Sequence, residues 1–353
     1  MEKFFKKALA LILCVCALAC LGCSTKKNTE FTVYMPDGAP AMALAKLMKE
    51  DTQKDGVAYF VVNPMTIAAR VTNEAQEKNA DLCVLPVTAA SKLLGNGERY
   101  QMLSVVTGGN LCVLSKDEKL ISTFEDGEYK DLSYLVGKTV GVMKINDVPG
   151  ITFKWILNDY GLAWSEIQND GKTEADKVNL KGITDATAID PLDTSVACYV
   201  VAEPAASVQV KKKNFTSVCS LETLYYKGEI VMDCTGETFI GYPQAVLVAK
   251  RSLIEKNKAW VESFLEKVET SVNWCYTDKA SGESILSAVQ AHLEDNGYAT
   301  TLKAEILTRE VIARCGVRFA RSGRCKEAVQ TYLQRMSSVD IKIGVAKDKF
   351  FYK

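Results

Sequence analysis

From Thr32 onward, short apolar runs of strand length alternate with segments of helical periodicity, and this alternation constrains the fold more than any other feature. Thr32–Met35 reads as a strand, and Pro40–Lys49 as a helix with apolar Ala41, Leu44, Ala45, Leu47 and Met48. Val57–Val62 is a second strand, followed by a helix from Met65 to Glu77. Asp81–Pro86 is a third, with a helix over Thr88–Leu94. Two more strands, Gln101–Val106 and Leu111–Ser115, flank Thr107-Gly108-Gly109-Asn110. Strands fed in turn by helices imply a mainly parallel sheet with both faces covered.

The pattern then restarts. Lys138–Met143 is a strand, "KINDVPG" a loop, and Ile151–Tyr160 a helix that stops before Gly161. The opening "FTVYMPDGAP" has the same order of strand, Asp/Pro/Gly loop and helix. A second pair matches better: "ADLCVLPVTAAS" (Ala80–Ser91) and "SVACYVVAEPAAS" (Ser195–Ser207) both run strand, proline corner, Ala-Ala-Ser helix start. Two similar α/β lobes are therefore expected. After them come a strand (Ala245–Ala249) and a long helix from Ile254 to Trp274. Helices over Glu283–Glu294, Ala304–Ala313 and Lys326–Arg335 and an ambiguous strand-like piece at Asp340–Val345 close the chain.

Composition excludes several functions. Lys+Arg and Asp+Glu number 43 each, so no basic excess points to nucleic acid. One histidine, His292 in "SILSAVQAHLEDNG", nearly excludes Ser-His or Cys-His catalysis and His-rich metal sites, and reads as a helix-surface residue. No GxGxxG follows a strand, and no GxxxxGK[ST] occurs. No catalytic residue, metal site or cofactor is nominated. Of the 12 cysteines, Cys83, Cys112 and Cys198 lie in apolar runs and read as small buried hydrophobes. Cys315 and Cys325 flank "GVRFARSGR" and could close a loop in an oxidising compartment.

The N-terminus has the form of an export signal. A short basic stretch precedes the apolar run Ala8–Gly22, which is too short to span a bilayer. "CLGCST" followed by the Lys-rich "STKKNTE" resembles a bacterial lipobox, with Cys23 the expected lipidated residue and Cys20 a second candidate. Residues 1–22 would be the lipoprotein signal and 23–30 a linker; a lipid there anchors rather than spans.

Open α/β sheets bind ligands beyond the carboxyl ends of their strands. The loops at those ends nominate Asp37, Gly38, Ala39 and Pro40, then Asn63, Val87, Thr88 and Asn110 in the first lobe. Asn146, Gly150, Ile151, Thr152 and Glu203 follow in the second, with Tyr242 as stacking surface beside Tyr34 and Phe239. Gly, Pro, Asn, Thr and Asp dominate these loops, which suits backbone N–H donors at helix starts. Asp37 and Asp147 read first as turn or capping residues and only second as ligand contacts. Glu203 is either an acceptor for a ligand N–H or a helix-start carboxylate.

The lipoprotein start, "PDGAP", "DLCVLPVTAAS", "GKTVGVM", "VVAEPAAS" and "VLVAKRSLIEKN" together resemble the extracytoplasmic solute-binding proteins of ABC importers, nearest the nitrate/sulfonate/taurine/thiamine-pyrimidine type. The resemblance covers Phe31 to Trp274. It implies a type II periplasmic-binding-protein fold, α/β in class, with two lobes, a ligand cleft and two hinge crossovers. Residues 31–115 and 242–353 would form the first lobe with its C-terminal helices, and 116–241 the second, with crossovers near Leu114–Lys116 and Gly241–Gln244. It further implies a monomeric, lipid-anchored receptor that is not an enzyme and passes a small polar solute to ABC permease subunits. A sulfonate, a pyrimidine or a vitamin-like heterocycle would be that solute. Absence of Arg or His from the nominated loops argues against a strongly anionic ligand, and Glu203 favours one with N–H donors. The rival is an enzyme or a sensor on the same fold, similar to pyrimidine-precursor synthases.

Overall fold

The computed structural model describes residues 31–50, 56–72, 79–125, 131–227, 242–294 and 299–353. The expected leader, its linker, Cys23 and Phe239 lie outside these residues.

The chain begins β1 (Phe31–Pro36), α1 (Ala39–Ala43), α2 (Ala45–Lys49), β2 (Val57–Val62), α3 (Pro64–Thr72), β3 (Leu82–Pro86), α4 (Val87–Leu94) and β4 (Tyr100–Thr107). It continues β5 (Leu111–Ser115), α5 (Glu118–Glu125), β6 (Thr139–Met143), α6 (Val148–Asp159), β7 (Trp164–Glu166), β8 (Val178–Ile183), β9 (Val196–Ala202), α7 (Ala205–Lys213), β10 (Thr216–Ser220) and α8 (Leu221–Tyr225). It ends β11 (Ala245–Lys250), α9 (Arg251–Lys256), α10 (Lys258–Trp274), α11 (Gly282–Gln290), α12 (Arg309–Arg314), β12 (Val317–Arg321) and α13 (Ser322–Ser337).

Among the described residues the strands form two six-stranded sheets, ordered β12-β4-β11-β3-β1-β2 and β10-β5-β9-β6-β8-β7. The parallel sets β3-β1-β2 and β9-β6-β8 occupy matching places. The sequence pairs "FTVYMPDGAP" with "KTVGVMKINDVPG", and "ADLCVLP" with "SVACYVVAEP", are thus equivalent strands of two lobes. Each parallel set carries one antiparallel neighbour: β11 beside β3, and β5 beside β9. These strands follow the two passages between sheets. β3 is buried along "LCVL", as a strand covered on both faces must be. One apolar cluster runs through both lobes, from Leu85 and Val105 through Tyr242 and Tyr332 to Val140 and Val200.

Several expectations need correction. β5 belongs to the second sheet, so the first passage falls at Gly108–Asn110 and not at Leu114–Lys116. The Gly-Gly-Asn stretch looks like a hairpin turn because it is short, yet it joins strands of different sheets. The second passage spans 226–244, of which 228–241 lie outside the described residues. The helix read over Pro40–Lys49 is broken at Leu44 (φ −107°, ψ 8°). Ala41 to Ala45 are all fully buried, and the break turns both short helices inward. The long helix expected from Ile254 is divided at Asn257. The helix expected from Ala304 starts at Arg309, where the Thr308 hydroxyl accepts from Val311 N at 3.4 Å. The ambiguous piece at 340–345 is a turn, with Asp340 accepting from Lys342 N at 3.0 Å.

No disulfide joins the described cysteines, so the Cys315–Cys325 bridge does not form; both are buried, and Cys325 Sγ donates instead to Ala320 O. His292 is half-buried past the end of α11, with Nδ1 2.8 Å from Ala288 O and its ring edge-on to Tyr59. Four short strands escaped the sequence reading: β7, β8, β10 and β12. The last matters most, because it lines the lobe junction.

Candidate functional site at the lobe junction

The nominated residues divide into three groups. In the first lobe, Gly38 takes φ 87°, ψ −143°, a region essentially reserved for glycine, and its carbonyl accepts from Met42 N at 3.0 Å to open α1. Ala39 is buried and Pro40 half-buried. Asp37 turns to the far C-terminal part of the chain: its carboxylate accepts from Thr301 N at 2.6 Å, Thr301 Oγ1 at 2.6 Å and Thr300 Oγ1 at 2.7 Å. That side chain clamps a loop of its own protein. Asn63 is exposed and caps α3, accepting from Met65 N at 2.9 Å.

In the second lobe, Asn146 is exposed, whereas Gly150, Ile151 and Thr152 are buried. Gly150 lies under the Ile145 carbonyl; a methyl group there would meet Ile145 O at 2.0 Å. Lys154, 4% exposed, fixes the same carbonyl at 3.1 Å and pairs with Glu166 at 2.6 Å. Thr152 Oγ1 lies 2.7 Å from Tyr332 Oη on α13, so this helix start meets the C-terminal helix.

The third group is the passage between lobes. Asn110 N donates to Gln244 Oε1 (3.0 Å), Gln244 Nε2 to Asn110 Oδ1 (2.6 Å), and Asn110 Nδ2 to Glu203 O (2.9 Å). Val87 N donates to Gln244 O at 2.9 Å, which ties α4 to the same knot; the adjacent Thr88 is buried. The structure thus brings Val87, Asn110, Glu203 and Tyr242 to one junction, with Thr152 reaching it through Tyr332. Tyr242 is fully buried and stacks on Tyr332, with centroids 5.4 Å apart and planes at 8°. Asn63 and Asn146 make no bond to this knot.

Glu203 has partners within the chain. Its carboxylate accepts from Ser207 N at 3.0 Å, Ser207 Oγ at 2.9 Å and Arg314 Nε at 2.9 Å, with Arg314 Nη2 also donating to Ser207 Oγ at 3.0 Å. Ser207 belongs to the second lobe, while Arg314 ends α12 beside the first sheet. The group is an interlobe latch. Arg314 is about half exposed and Glu203 is not, so solvent screens much of the pair's attraction. Arg314→Ala is expected to lower stability by only about 1–2 kcal/mol. It should also raise interlobe mobility, measured as faster amide exchange at Asn110 and Glu203 with no change at β1.

The residues missing from the sequence reading lie mostly in α8, α12 and β12. Glu222, in α8, is pushed up to about 7 by burial, against the lowering effects of Arg318 and the Gly109 N–H. Tyr276 donates its phenol hydrogen to Val317 O. The alternation "VRFAR" after a glycine is the one signal that could have revealed β12.

No protein-family model and no curated protein matches the chain. Solved structures do. An ABC transporter protein from Parabacteroides distasonis superposes with TM-score 0.65 at 17% identity, covering 92% of this chain and 99% of that one. The periplasmic aliphatic sulphonate binding protein SsuA from Escherichia coli gives 0.59 at 14%, covering 92% of each. The alkanesulfonate-binding protein SsuA from Xanthomonas axonopodis pv. citri, bound to MOPS, gives 0.55 at 12%, covering 91% and 97%. At such identities the likeness is one of fold: two α/β lobes of the periplasmic-binding-protein type.

Proposed function

We propose that this chain is the solute-capturing component of an ABC-type import system, which closes two lobes on a small polar organic solute and presents it to permease subunits. The observation that carries the reading is the junction: two crossing segments, Gly108–Asn110 and Tyr242–Gln244, knit equivalent lobes together where buried polar side chains converge. That layout suits hinge closure around a ligand. The SsuA proteins named above, which bind sulfonates, support the general role through their shared fold. The reading involves no covalent chemistry, and the chain acts as a monomer. Attachment to the outer face of the membrane is proposed through a lipid on Cys23; among the described residues no helix is long and apolar enough to cross a bilayer.

A thermal-shift screen of the full chain against sulfonates, pyrimidines, vitamin-like heterocycles and amino acids tests the role. One class is expected to raise the midpoint by several degrees and to be recovered chemically unchanged, as binding linkage requires. A screen without any shift, or recovery of a converted solute, would overturn the reading.

A further inference from the structure

Two polar side chains, Tyr242 and Glu222, press on Gly109, and two more, Thr107 and Arg318, come from strand ends that pair beside it. A methyl group at Gly109 would sit 2.7 Å from Tyr242 Cζ and 2.9 Å from Glu222 Cγ, so both side chains press on this one residue. Gly108 N donates to Gly316 O at 2.7 Å, and Val317 pairs with Thr107, which brings the start of β12 and Arg318 to the same passage. Glu222 Oε1, Tyr242 Oη, Thr107 Oγ1 and Arg318 Nε are all shielded from solvent and all lack a hydrogen-bond partner. Tyr242 and Thr107 are at most 1% exposed, while Glu222 and Arg318 each keep an open flank. Arg318 acts on Glu222 electrostatically, yet the two form no ion pair at contact distance. Buried polar atoms are normally satisfied, and four orphans on segments that adjoin at this passage call for a missing partner.

The chemistry of that partner follows from the charges. Arg318 and Tyr242 offer donors to an anionic oxygen, and Glu222 offers an acceptor to a cationic N–H. A simple anion would face the Glu222 carboxylate, and a simple cation would face Arg318. A solute carrying both charges satisfies the whole set and spans the lobes, because Glu222 lies on α8 of the second and Arg318 on β12 of the first.

We propose that Glu222, Tyr242, Thr107 and Arg318 form the solute subsite and that it selects a zwitterion of the amino-acid type, carboxylate to Arg318 and Tyr242, ammonium to Glu222. This rests on the solute-capture reading above. Such a ligand also couples to protons. Glu222 is faced by Arg318 from β12, by Tyr242 before β11, by Tyr276 after α10 and by the Gly109 N–H. An incoming ammonium favours its ionised form, so binding near neutral pH releases a proton. A monoanion would instead draw one in.

The experiment is calorimetry on the full chain with the twenty proteinogenic L-amino acids, their deaminated carboxylic acids and their decarboxylated amines. Each titration is repeated in buffers of different ionisation enthalpy. At least one amino acid is expected to bind with proton release near pH 6.5, and its single-charge analogues roughly 100-fold more weakly. Arg318→Gln should weaken that amino acid by a factor of about 10 to 100, and Glu222→Gln should abolish the proton release. Circular dichroism confirms that each variant is folded. Tight binding of a sulfonate or pyrimidine that neither variant affects would overturn the subsite and leave solute capture standing. Absence of binding by any solute class would overturn both.

Discussion

Replacing Glu222 by glutamine is expected to leave stability almost unchanged at pH 4 and to raise it by about 3 kcal/mol at pH 8. Burial lifts this carboxyl from an ordinary 4.5 to about 7, so the folded chain holds a proton there that the unfolded chain has lost. Between those two values the folded state binds more protons, and stability must fall as pH rises. Well below 4.5 both states are protonated and no penalty exists; well above 7 it is complete. Glutamine matches the protonated acid in shape and removes the titration. The measurement is a pair of denaturant melts at each pH, with the gap between wild type and E222Q widening across the interval. A gap that stays constant, or widens towards acid, would contradict the burial assigned to this group. Any solute that supplies an ammonium should close the gap, since it satisfies the ionised form.

Gly150→Ala should cost about 2–3 kcal/mol. The added methyl would lie 2.0 Å from Ile145 O and 2.4 Å from Ile145 C, which is backbone and cannot swing aside. Relief requires lifting the 144–147 turn, and this breaks the Lys154 Nζ bond to the same carbonyl. Lys154 is nearly buried, so losing that acceptor leaves a charged donor under-satisfied. Gly161→Ala is the control: its φ is 72° but the space around it is open, so the cost is only backbone strain of about 1 kcal/mol. Thermal or urea melts of the two variants distinguish a close-approach glycine from a conformational one. Equal losses in both would show that the contact at Gly150 is not tight.

The fold was legible because parallel strands buried on both faces leave long apolar runs, as in "LCVLP" and "VACYVVA". The repeated strand–proline–helix corners then counted the lobes. The short edge strands carried too little hydrophobic signal: β7 has three half-buried residues, and β10 is mostly exposed or half-buried. The candidate site was legible only in part. Loops beyond strand ends can be nominated from spacing, and Asn110 and Tyr242 do sit at the junction. Whether a carboxylate serves a ligand or the chain depends on residues roughly 100 or more positions away. Thr300 and Thr301 take Asp37, and Arg314 takes Glu203. An arginine of the kind the nominated loops lack stands on β12, in the segment "GVRFARSGR" read only as the stretch between Cys315 and Cys325.

The buried thiols carry a consequence for watching this molecule move. Cys83 lies in β3 of the first sheet, and Cys112 and Cys198 lie in β5 and β9 of the second, none more than 5% exposed. Burial holds all three well above the ordinary thiol range, so they stay unreactive while the sheets are intact. A thiol-trapping reagent therefore runs as two clocks in one chain. Label on Cys83 times the opening of one half, and label on Cys112 and Cys198 times the other. Peptide mapping of a single reaction mixture then shows which half breathes first, with no dye or engineered residue.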